Sequence, residues 1–360
     1  MDAVTPAHLV TVCKIPDGIH FGLDEAAYHA DPALGSTDLK QLATEPAAYW
    51  YGSALNPHRP AEDDDTPARL VGRAVHKFVL EGPPAFLDRF ERYPEGDDLL
   101  VTADHLGAWL KDRDVKPGKT KAASVELIRE RCLADGVEPP RMLDHLLREA
   151  ADASRAVLKA ADYDRITAAG CAVLDNPHLV GSFEGGAAEV SLFWTDEIGG
   201  EPVRRKARFD YLKPRAVVDL KSTRPKDGMP FVASCRRALA QWSYPTQAAA
   251  YLQARARLAA FVSAGQVYGD HDPAWLARVA AAEDYALVFV FWASTGAPLT
   301  WGGVMSPGSA LVGVGEESVR RALDNFTAAR RAHGDGPWVD HQPLEEIDLD
   351  HLPAWFGAAF

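Results

Sequence analysis

Two aspartates and a lysine lie in stretches of the sequence that are otherwise typical of buried β-strands. In the apolar segment 215–222, Asp219 and Lys221 are two positions apart, so their side chains share one face of a strand, about 7 Å apart along the backbone. Asp210 belongs to a second alternating segment, 203–212, and a turn that contains proline separates the two segments. We therefore expect Asp210 to face Asp219 from the neighbouring strand.

This arrangement suits a metal-dependent hydrolase. Two carboxylates at one point repel each other, and their pKa values rise unless a cation keeps them ionised. A hard divalent ion such as Mg²⁺ prefers oxygen ligands of this kind, lowers the pKa of its bound water and neutralises charge on a phosphodiester. Lys221 would orient or deprotonate the attacking water. An isolated Asp-x-Lys triplet is commonly a surface ion pair, so the interpretation depends on the residues that join it.

Four further residues could complete such a site. His76 lies at the edge of the apolar stripe of a predicted helix, where a histidine is either structural or a metal ligand. Glu189 lies in a third strand segment, where a carboxylate costs free energy unless it is paired or faces a polar site. Gln247 and Tyr251 are four residues apart on a predicted helix and share one face. That face either touches a phosphate or the attacking water, or is half-buried.

Periodicity predicts an α/β domain in which helices flank a mixed sheet. The helical pattern, with Ser36 as the first N-cap and a break near Pro245, covers 36–51, 69–80, 141–174, 231–261 and 316–333. The strand pattern covers 187–195, 203–212 and 215–222. The apolar run 285–294 predicts a central strand buried on both faces.

We expect one domain over residues 1–360, with one insertion. Residues 97–140 are polar and contain two short helical patterns, 103–111 and 122–133, on either side of a basic turn. This insertion is either a SAP-like DNA-binding element or a plain helical hairpin. The C-terminal segment 340–360 is first acidic and then aromatic, and it could pack on its own domain or on a neighbouring subunit.

Composition narrows the classes of protein to which the chain can belong. With 360 residues and a net charge of −13, the chain is not a protein that binds nucleic acid over its whole surface. Residues 204–227, called the basic stretch here, differ from this acidic composition because they contain nine Lys or Arg and three Asp. This local positive charge suggests an anionic ligand. Four scattered cysteines argue against a zinc ribbon or an iron–sulfur cluster. No segment is typical of a membrane span or a signal peptide, so we expect a cytoplasmic protein.

The order of these residues resembles that of the PD-(D/E)XK nuclease superfamily. The matching motifs are G-x-x-x-H (Gly72 and His76), the single acids Glu189 and Asp210, D-x-K (Asp219 and Lys221) and Q-x-x-x-Y (Gln247 and Tyr251). Within the superfamily, the chain resembles the RecE-like phage exonucleases (exodeoxyribonuclease VIII type) and, more distantly, lambda exonuclease. The superfamily signature has Pro before its first Asp, where this chain has Phe209. The resemblance implies a restriction-endonuclease-like core, with a mixed central sheet flanked by helices.

The resemblance also implies a role for each residue. The implied metal ligands for Mg²⁺, with Mn²⁺ as a substitute, are His76, Asp210 and Asp219, assisted by the Leu220 carbonyl. The implied catalytic residues are Lys221, Glu189, Asp219, Asp210, Gln247 and Tyr251. The arginines expected to contact DNA are Arg69, Arg73, Arg208 and Arg224.

The implied activity is 5′→3′ digestion of one strand of linear duplex DNA, which leaves a 3′ overhang for recombination by a single-strand annealing protein of the RecT type. Such enzymes form homo-oligomeric rings, and in a ring the basic stretch would line the inner wall. Three alternatives stay open: an endonuclease, another structure-specific nuclease of the superfamily, and a catalytically inactive DNA-binding subunit. A P-loop NTPase is excluded because the sequence has no G-x-x-x-x-G-K-[ST] motif.

Overall fold

A computed structural model describes residues 14–60, 66–179 and 181–352 of the chain. Within these ranges the strands are β1 (Gly18–His20), β2 (Phe90–Arg92), β3 (Ala156–Leu158), β4 (Ala187–Ile198), β5 (Glu201–Lys213), β6 (Ala216–Thr223), β7 (Val267–Tyr268), β8 (Ala286–Ala293) and β9 (Thr300–Met305). Seven of these described strands form one sheet in the order β7-β1-β4-β5-β6-β8-β9, and β2 pairs with β3 separately.

Helices flank this sheet on both faces. Those within the described ranges are α1 (Glu25–Ala30), α2 (Ser36–Thr44), α3 (Pro46–Gly52), α4 (Pro67–Glu81), α5 (Pro83–Arg89), α6 (Ala103–Lys111), α7 (Lys121–Asp135), α8 (Leu143–Asp152), α9 (Ala160–Leu174), α10 (Phe231–Gln241), α11 (Tyr244–Ala256), α12 (Leu258–Ser263), α13 (Pro273–Ala281) and α14 (Ala310–His333). A short 3₁₀ turn, Leu349–His351, follows near the C-terminus.

The sheet combines antiparallel and parallel pairs. Strands β4, β5 and β6 form an antiparallel meander, in agreement with their alternating patterns. Strand β8 lies parallel to β6, and the chain makes the required crossover between them through α10 to α13. Strand β8 is buried on both faces as predicted, but β9 is the strand that lies outside it at the sheet edge. The predicted α/β class, with a mixed central sheet flanked by helices, is confirmed.

Apolar side chains pack on both faces of the sheet, as the two-residue periodicity of strands requires. Val217 belongs to the core formed with α10 to α13, whereas its neighbour Val218 belongs to the core formed with α4 and α9. In the second core, Gly170 of α9 lies against the Phe78 ring, where a Cβ atom would come within 2.2 Å of the ring. This close approach fixes α4, the helix that carries His76, against the sheet.

A third core holds α2, α11 and α14 together. Leu39 and Leu42 of α2 are fully buried against small residues of α11 and apolar residues of α14. Gly315 of α14 permits the contact with α11, because a Cβ atom there would lie 1.9 Å from the Pro245 carbonyl oxygen. Helix α2 is therefore held on a packed platform rather than on a surface loop.

The predicted helix 36–51 is wrong in two respects. The chain forms two helices, α2 and α3, because Pro46 lacks an amide proton and holds Glu45 in an extended conformation with φ −149° and ψ 92°. The N-cap of α2 is Gly35 and not Ser36, and the Gly35 amide donates to the Asp38 carboxylate at 2.7 Å.

The insertion 97–140 contains α6 and α7, close to the two helical patterns in the sequence. The two helices bury a small core of their own, centred on Leu106, Leu110 and Ile128. The predicted helix 141–174 is instead α8, β3 and α9, because Ser154, with φ +56°, interrupts it. Helix α14 begins at Ala310, six residues before the predicted start, with Ser309 as its N-cap.

The C-terminal tail is described as far as residue 352, and the rest of the predicted segment 340–360 lies outside the described residues. Leu344, Ile347 and Leu349 are exposed. Within the described residues, none of the helices has the length and apolar character needed to cross a membrane.

Candidate active site

The sheet opens between β5 and β6 at the two aspartates. Pairing of these strands is confined to Tyr211 with Val218 and the two residue pairs nearer the turn. The next positions in this register are Asp210 and Asp219, so the two acids face each other where the pairing stops. The Leu220 amide donates to Asp210 Oδ2 at 2.7 Å instead of to a backbone carbonyl of β5. The opening, called the fork here, thus holds a carboxylate on each side.

Asp219 is completely buried at the centre of the fork. Its Oδ1 accepts a hydrogen bond from Gln247 Nε2 at 2.7 Å, and its Oδ2 lies 2.6 Å from Lys221 Nζ. Burial raises the pKa of Asp219 to about 6, since the favourable charge of Lys221 does not compensate for lost hydration and for the charge of Asp210. A carboxylate held in this way gains from any cation that enters the fork.

Lys221 lies beside Asp219 and contacts the face of an aromatic ring. Its Nζ is 5.3 Å from the ring centroid of Tyr244, at the start of α11. Burial lowers the pKa of Lys221, but Asp219 and Asp210 outweigh burial and raise it above the usual value. The ammonium group is therefore well stabilised where the two carboxylates meet.

His76 and Glu189 close the fork from the side of α4 and β4. His76 Nε2 lies 3.9 Å from Asp210 Oδ2, and His76 Nδ1 lies 4.0 Å from Glu189 Oε1. Burial opposes protonation of His76, but Asp210 and Glu189 outweigh it and raise the pKa of the imidazole to about 9. The imidazole is thus surrounded by negative charge.

Glu189 has a strained backbone. Its φ is +54°, in the left-handed region that side chains other than glycine rarely adopt, although β4 is extended on either side. The carboxylate is paired with Arg208 of β5, with 2.8 Å between Oε2 and Nε. Such strain costs on the order of 1–3 kcal/mol and is concentrated at functional sites.

The donor groups fit a hard divalent ion by type. Two carboxylates and the Leu220 carbonyl are ordinary oxygen ligands for Mg²⁺ or Mn²⁺, and the imidazole nitrogen favours Mn²⁺ over Mg²⁺. Asp219 Oδ2 is buried and makes no hydrogen bond of regular geometry within the described structure. Within the same residues, His, Cys, Asp and Glu side chains do not form a group of three spaced closely enough to hold a metal ion as they stand. An ion would therefore have to draw these side chains out of their ion pairs and towards itself.

Gln247 and Tyr251 occupy different surroundings on α11. Gln247 is buried and donates to Asp219, whereas Tyr251 packs edge-on against Phe209, with 5.4 Å between ring centroids. Burial, with a smaller contribution from Asp219, raises the pKa of Tyr251 well above its usual value. Gln247 therefore belongs to the fork, and Tyr251 supports it from the core side.

Two residues of the site were not predicted from the sequence. Lys40 of α2 places its Nζ 3.4 Å from Gln247 Oε1 and 4.9 Å from the ring centroid of Tyr244. Burial and the nearby charge of Lys221 lower the pKa of Lys40 to about 8. Tyr244 is thus flanked by two lysines from distant parts of the chain. A lysine on an amphipathic helix gives no sequence signal for such a position, although a Tyr-Pro pair at a helix start could have drawn attention to Tyr244.

The basic stretch does not act as one surface. Arg205 and Lys206 are buried, Arg205 pairs with Asp196 at 2.9 Å, and Lys206 Nζ donates to the Tyr28 and Asp31 carbonyls at 2.9 and 2.6 Å. The prediction that the whole stretch lines a DNA channel is wrong for these residues, because their side chains are buried and make their contacts inside the protein.

The four arginines expected to contact DNA lie in different environments. Arg69 is exposed and Arg73 is partly exposed on α4, the helix of His76. Arg224 is exposed in the loop after β6. Arg208 is mostly buried, pairs with Glu189 and donates to the Leu23 carbonyl. Arg208 can therefore reach DNA only if its pair with Glu189 opens.

Comparison with known proteins identifies the domain. Among solved structures, a protein from Eubacterium rectale provisionally named an exonuclease is 13% identical, with 86% of this chain and 88% of that chain covered and a TM-score of 0.36. The protein SSO0001 is 12% identical, with 74% and 88% covered and a TM-score of 0.25. No curated protein matches the chain significantly. Residues 36–260, well over half of the chain and all of the fork, match the PDDEXK-like domain of unknown function DUF3799, and the chain belongs to this family.

Proposed function

We propose that the protein is a metal-dependent nuclease, specifically an exodeoxyribonuclease that digests one strand of linear duplex DNA. The observation that carries the proposal is the fork, in which Asp210, Asp219 and Lys221 meet where the sheet opens. Membership of a PDDEXK-like family supports the proposal, because the letters D, D/E and K in that name stand for two acids and a lysine of this kind. His76 and Glu189 on the other side of Asp210 add the donors that such a centre needs.

The residues would divide the chemistry between them. His76, Asp210, Asp219 and the Leu220 carbonyl would hold Mg²⁺ or Mn²⁺, which when bound activates water and offsets the charge that develops on a phosphodiester. Lys221 would donate hydrogen bonds to the attacking water or to a phosphate oxygen. Gln247, through its bond to Asp219 Oδ1, would hold that carboxylate in position. Glu189 would add negative charge beside His76. Its carboxylate would leave Arg208 in order to contact other groups in the site.

The finer assignment rests on the RecE-like order of motifs. On that basis, digestion proceeds 5′→3′, leaves 3′ overhangs and serves recombination with a single-strand annealing protein, in an enzyme that forms a homo-oligomeric ring. The net charge of −13 favours DNA contact in a confined place rather than over the whole surface. The exposed Arg69 and Arg224 are the arginines best placed to make such contacts.

One assay separates exonuclease from endonuclease. End-labelled linear duplex and covalently closed circular duplex are incubated with the protein in Mg²⁺ and in EDTA, with the Lys221→Ala variant as a control. We expect release of nucleotides from the linear DNA in Mg²⁺ only, and no cutting of the circle. Equal cutting of the circle would replace the exonuclease with an endonuclease. No hydrolysis of either substrate in Mg²⁺ or Mn²⁺ would leave a DNA-binding subunit.

A further inference from the structure

Helix α2 contributes a lysine to the fork from outside the catalytic strands. Lys40 lies 207 residues before Gln247 in the chain, yet its Nζ is 3.4 Å from Gln247 Oε1, and Gln247 in turn donates to Asp219. Packing fixes the part of α2 that carries Lys40, because Leu39 and Leu42 on either side of it are fully buried. The end of α2 is also tied to α14, since Arg321 Nε and Asn325 Nδ2 donate to the Ala43 and Leu42 carbonyls.

The contacts of Lys40 leave most of its charge unsatisfied. The bond to Gln247 is longer than a normal hydrogen bond of this type, and its acceptor is a neutral amide. Within the described ranges, carboxylates form no salt bridge with Lys40. Asp219 is the acid whose charge acts on Lys40, and its carboxylate is already paired with Lys221 at 2.6 Å. A half-buried ammonium without an anion loses hydration and gains little in return.

Two ammonium groups share one aromatic ring at this point. Lys221 Nζ and Lys40 Nζ lie 5.3 and 4.9 Å from the ring centroid of Tyr244, which itself stacks on Phe289 with 5.3 Å between centroids. Their mutual repulsion is offset when an anion lies between or beside them. The fork therefore has a cationic half, formed by the two lysines, next to the acidic half formed by Asp210 and Glu189.

We propose that Lys40 and Tyr244 form a phosphate-binding subsite, in which Lys40 holds a backbone phosphate of the substrate strand next to the group that Lys221 contacts. This inference rests on the proposed nuclease function. The phosphate supplies the negative charge that Lys40 lacks within the protein. The packing of α2 against α11 and α14 keeps the ammonium group in position before DNA binds. Lys40 is a substrate-binding residue in this account, separate from the metal ligands.

A merely structural role for Lys40 makes a different prediction. In that case Lys40 would act only by holding Gln247, and removing it would disturb Asp219 and lower kcat. As a phosphate-binding residue, Lys40 instead contributes to the electrostatic part of DNA binding. Each phosphate contact releases counterions, so the slope of log K against log salt falls by about 0.9 when one contact to duplex DNA is lost.

The test measures binding of a labelled linear duplex in EDTA, where no turnover occurs, as a function of salt. The variants are Lys40→Met, Lys40→Arg and, as a matched control, Lys159→Met, which removes an exposed lysine before α9. We expect the salt slope of Lys40→Met to be shallower than wild type by about 0.9. Lys40→Arg and Lys159→Met should keep the wild-type slope. With Mg²⁺, KM of Lys40→Met should rise by roughly tenfold or more while kcat changes little.

The outcomes distinguish this inference from the proposed function. If wild type binds and digests DNA but the slope of Lys40→Met equals that of wild type, the phosphate-binding role is wrong. A fall in kcat of Lys40→Met without a change in KM would likewise contradict it and favour the structural role through Gln247. Absence of DNA binding by the wild type would overturn both the nuclease proposal and the subsite.

Discussion

The two halves of strand β5 carry charged residues that have different roles. In the first half, Arg204, Arg205 and Lys206 are bound to Asp31, Asp196 and backbone carbonyls inside the protein. In the second half, Asp210 lies at the fork, where its neighbours are an amide, an imidazole and further carboxylates.

Charged side chains are thus spread among separate partners in one half of β5 and crowded together at the fork in the other. A raised pKa at Asp219 and a positive φ at Glu189 accompany this crowding at the fork. Residues that maintain the fold are therefore distinguished from residues available to a ligand by their partners, and not by the density of charge along the sequence.

The largest expected effect tests the fork half. Lys221→Ala and Asp219→Asn should each lower Mg²⁺-dependent DNA hydrolysis by about a thousandfold, because charge stabilisation of the transition state is lost. Asp219→Asn should keep the fold, since it removes a buried charge, whereas Lys221→Ala should also lower the free energy of unfolding by about 3 kcal/mol, because it leaves Asp219 buried without its cation. Initial rates and circular dichroism check both statements. A variant that turns over at the wild-type rate would show that the fork is a structural ion pair.

The next effect tests the paired half. Arg205→Met should lower the free energy of unfolding by about 2 kcal/mol, because the partly buried Asp196 carboxylate loses one cation and keeps Arg257. Activity per folded molecule should be unchanged. The matched control is Arg215→Met, which removes an exposed ion pair with Asp284 and should have almost no effect on stability. Urea denaturation measures both, and a cost for Arg205→Met no larger than for the control would contradict the comparison.

Part of this comparison could be predicted from the sequence. The alternating patterns place Asp210, Asp219 and Lys221 on facing strands, and the turn between β5 and β6 fixes their register, so local spacing suffices to predict that the two acids face each other. The contact between Lys40 and Tyr244 could not be predicted, because it depends on packing between helices far apart in the chain. The pairing of the basic stretch was missed for the same reason, since Arg204 meets Asp31 across 173 residues.

A pH experiment sharpens the contrast at Asp219. Its pKa is raised from 3.8 to about 6 by burial, so the folded protein binds a proton more tightly than the unfolded chain. The contribution of Asp219 to the free energy of unfolding should therefore fall as the pH rises from about 4 to about 6. Asp219→Asn should lack this contribution and, in EDTA, should melt increasingly above wild type across that interval. Parallel melting curves for the two proteins from pH 4 to 7 would contradict the assigned environment.

The smallest effect concerns the strained glutamate. Glu189→Gly should stabilise the fold by about 1 kcal/mol relative to Glu189→Ala, because glycine adopts φ +54° without the steric cost that alanine retains. Both variants lack the carboxylate, so both should lose activity equally. Thermal melting and nuclease assays of the pair separate the two effects. Equal stability of the two variants would show that the backbone of Glu189 is not strained.

A calorimetric titration of Mn²⁺ into the metal-free protein tests directly whether the fork binds a metal ion. Wild type, His76→Ala and Asp210→Asn are compared with Asp284→Asn, which removes an exposed carboxylate outside the fork. We expect wild type and Asp284→Asn to bind Mn²⁺ alike, and His76→Ala and Asp210→Asn to bind it at least about tenfold more weakly. Superimposable isotherms for all four proteins, or no binding by the wild type, would contradict a metal site at the fork.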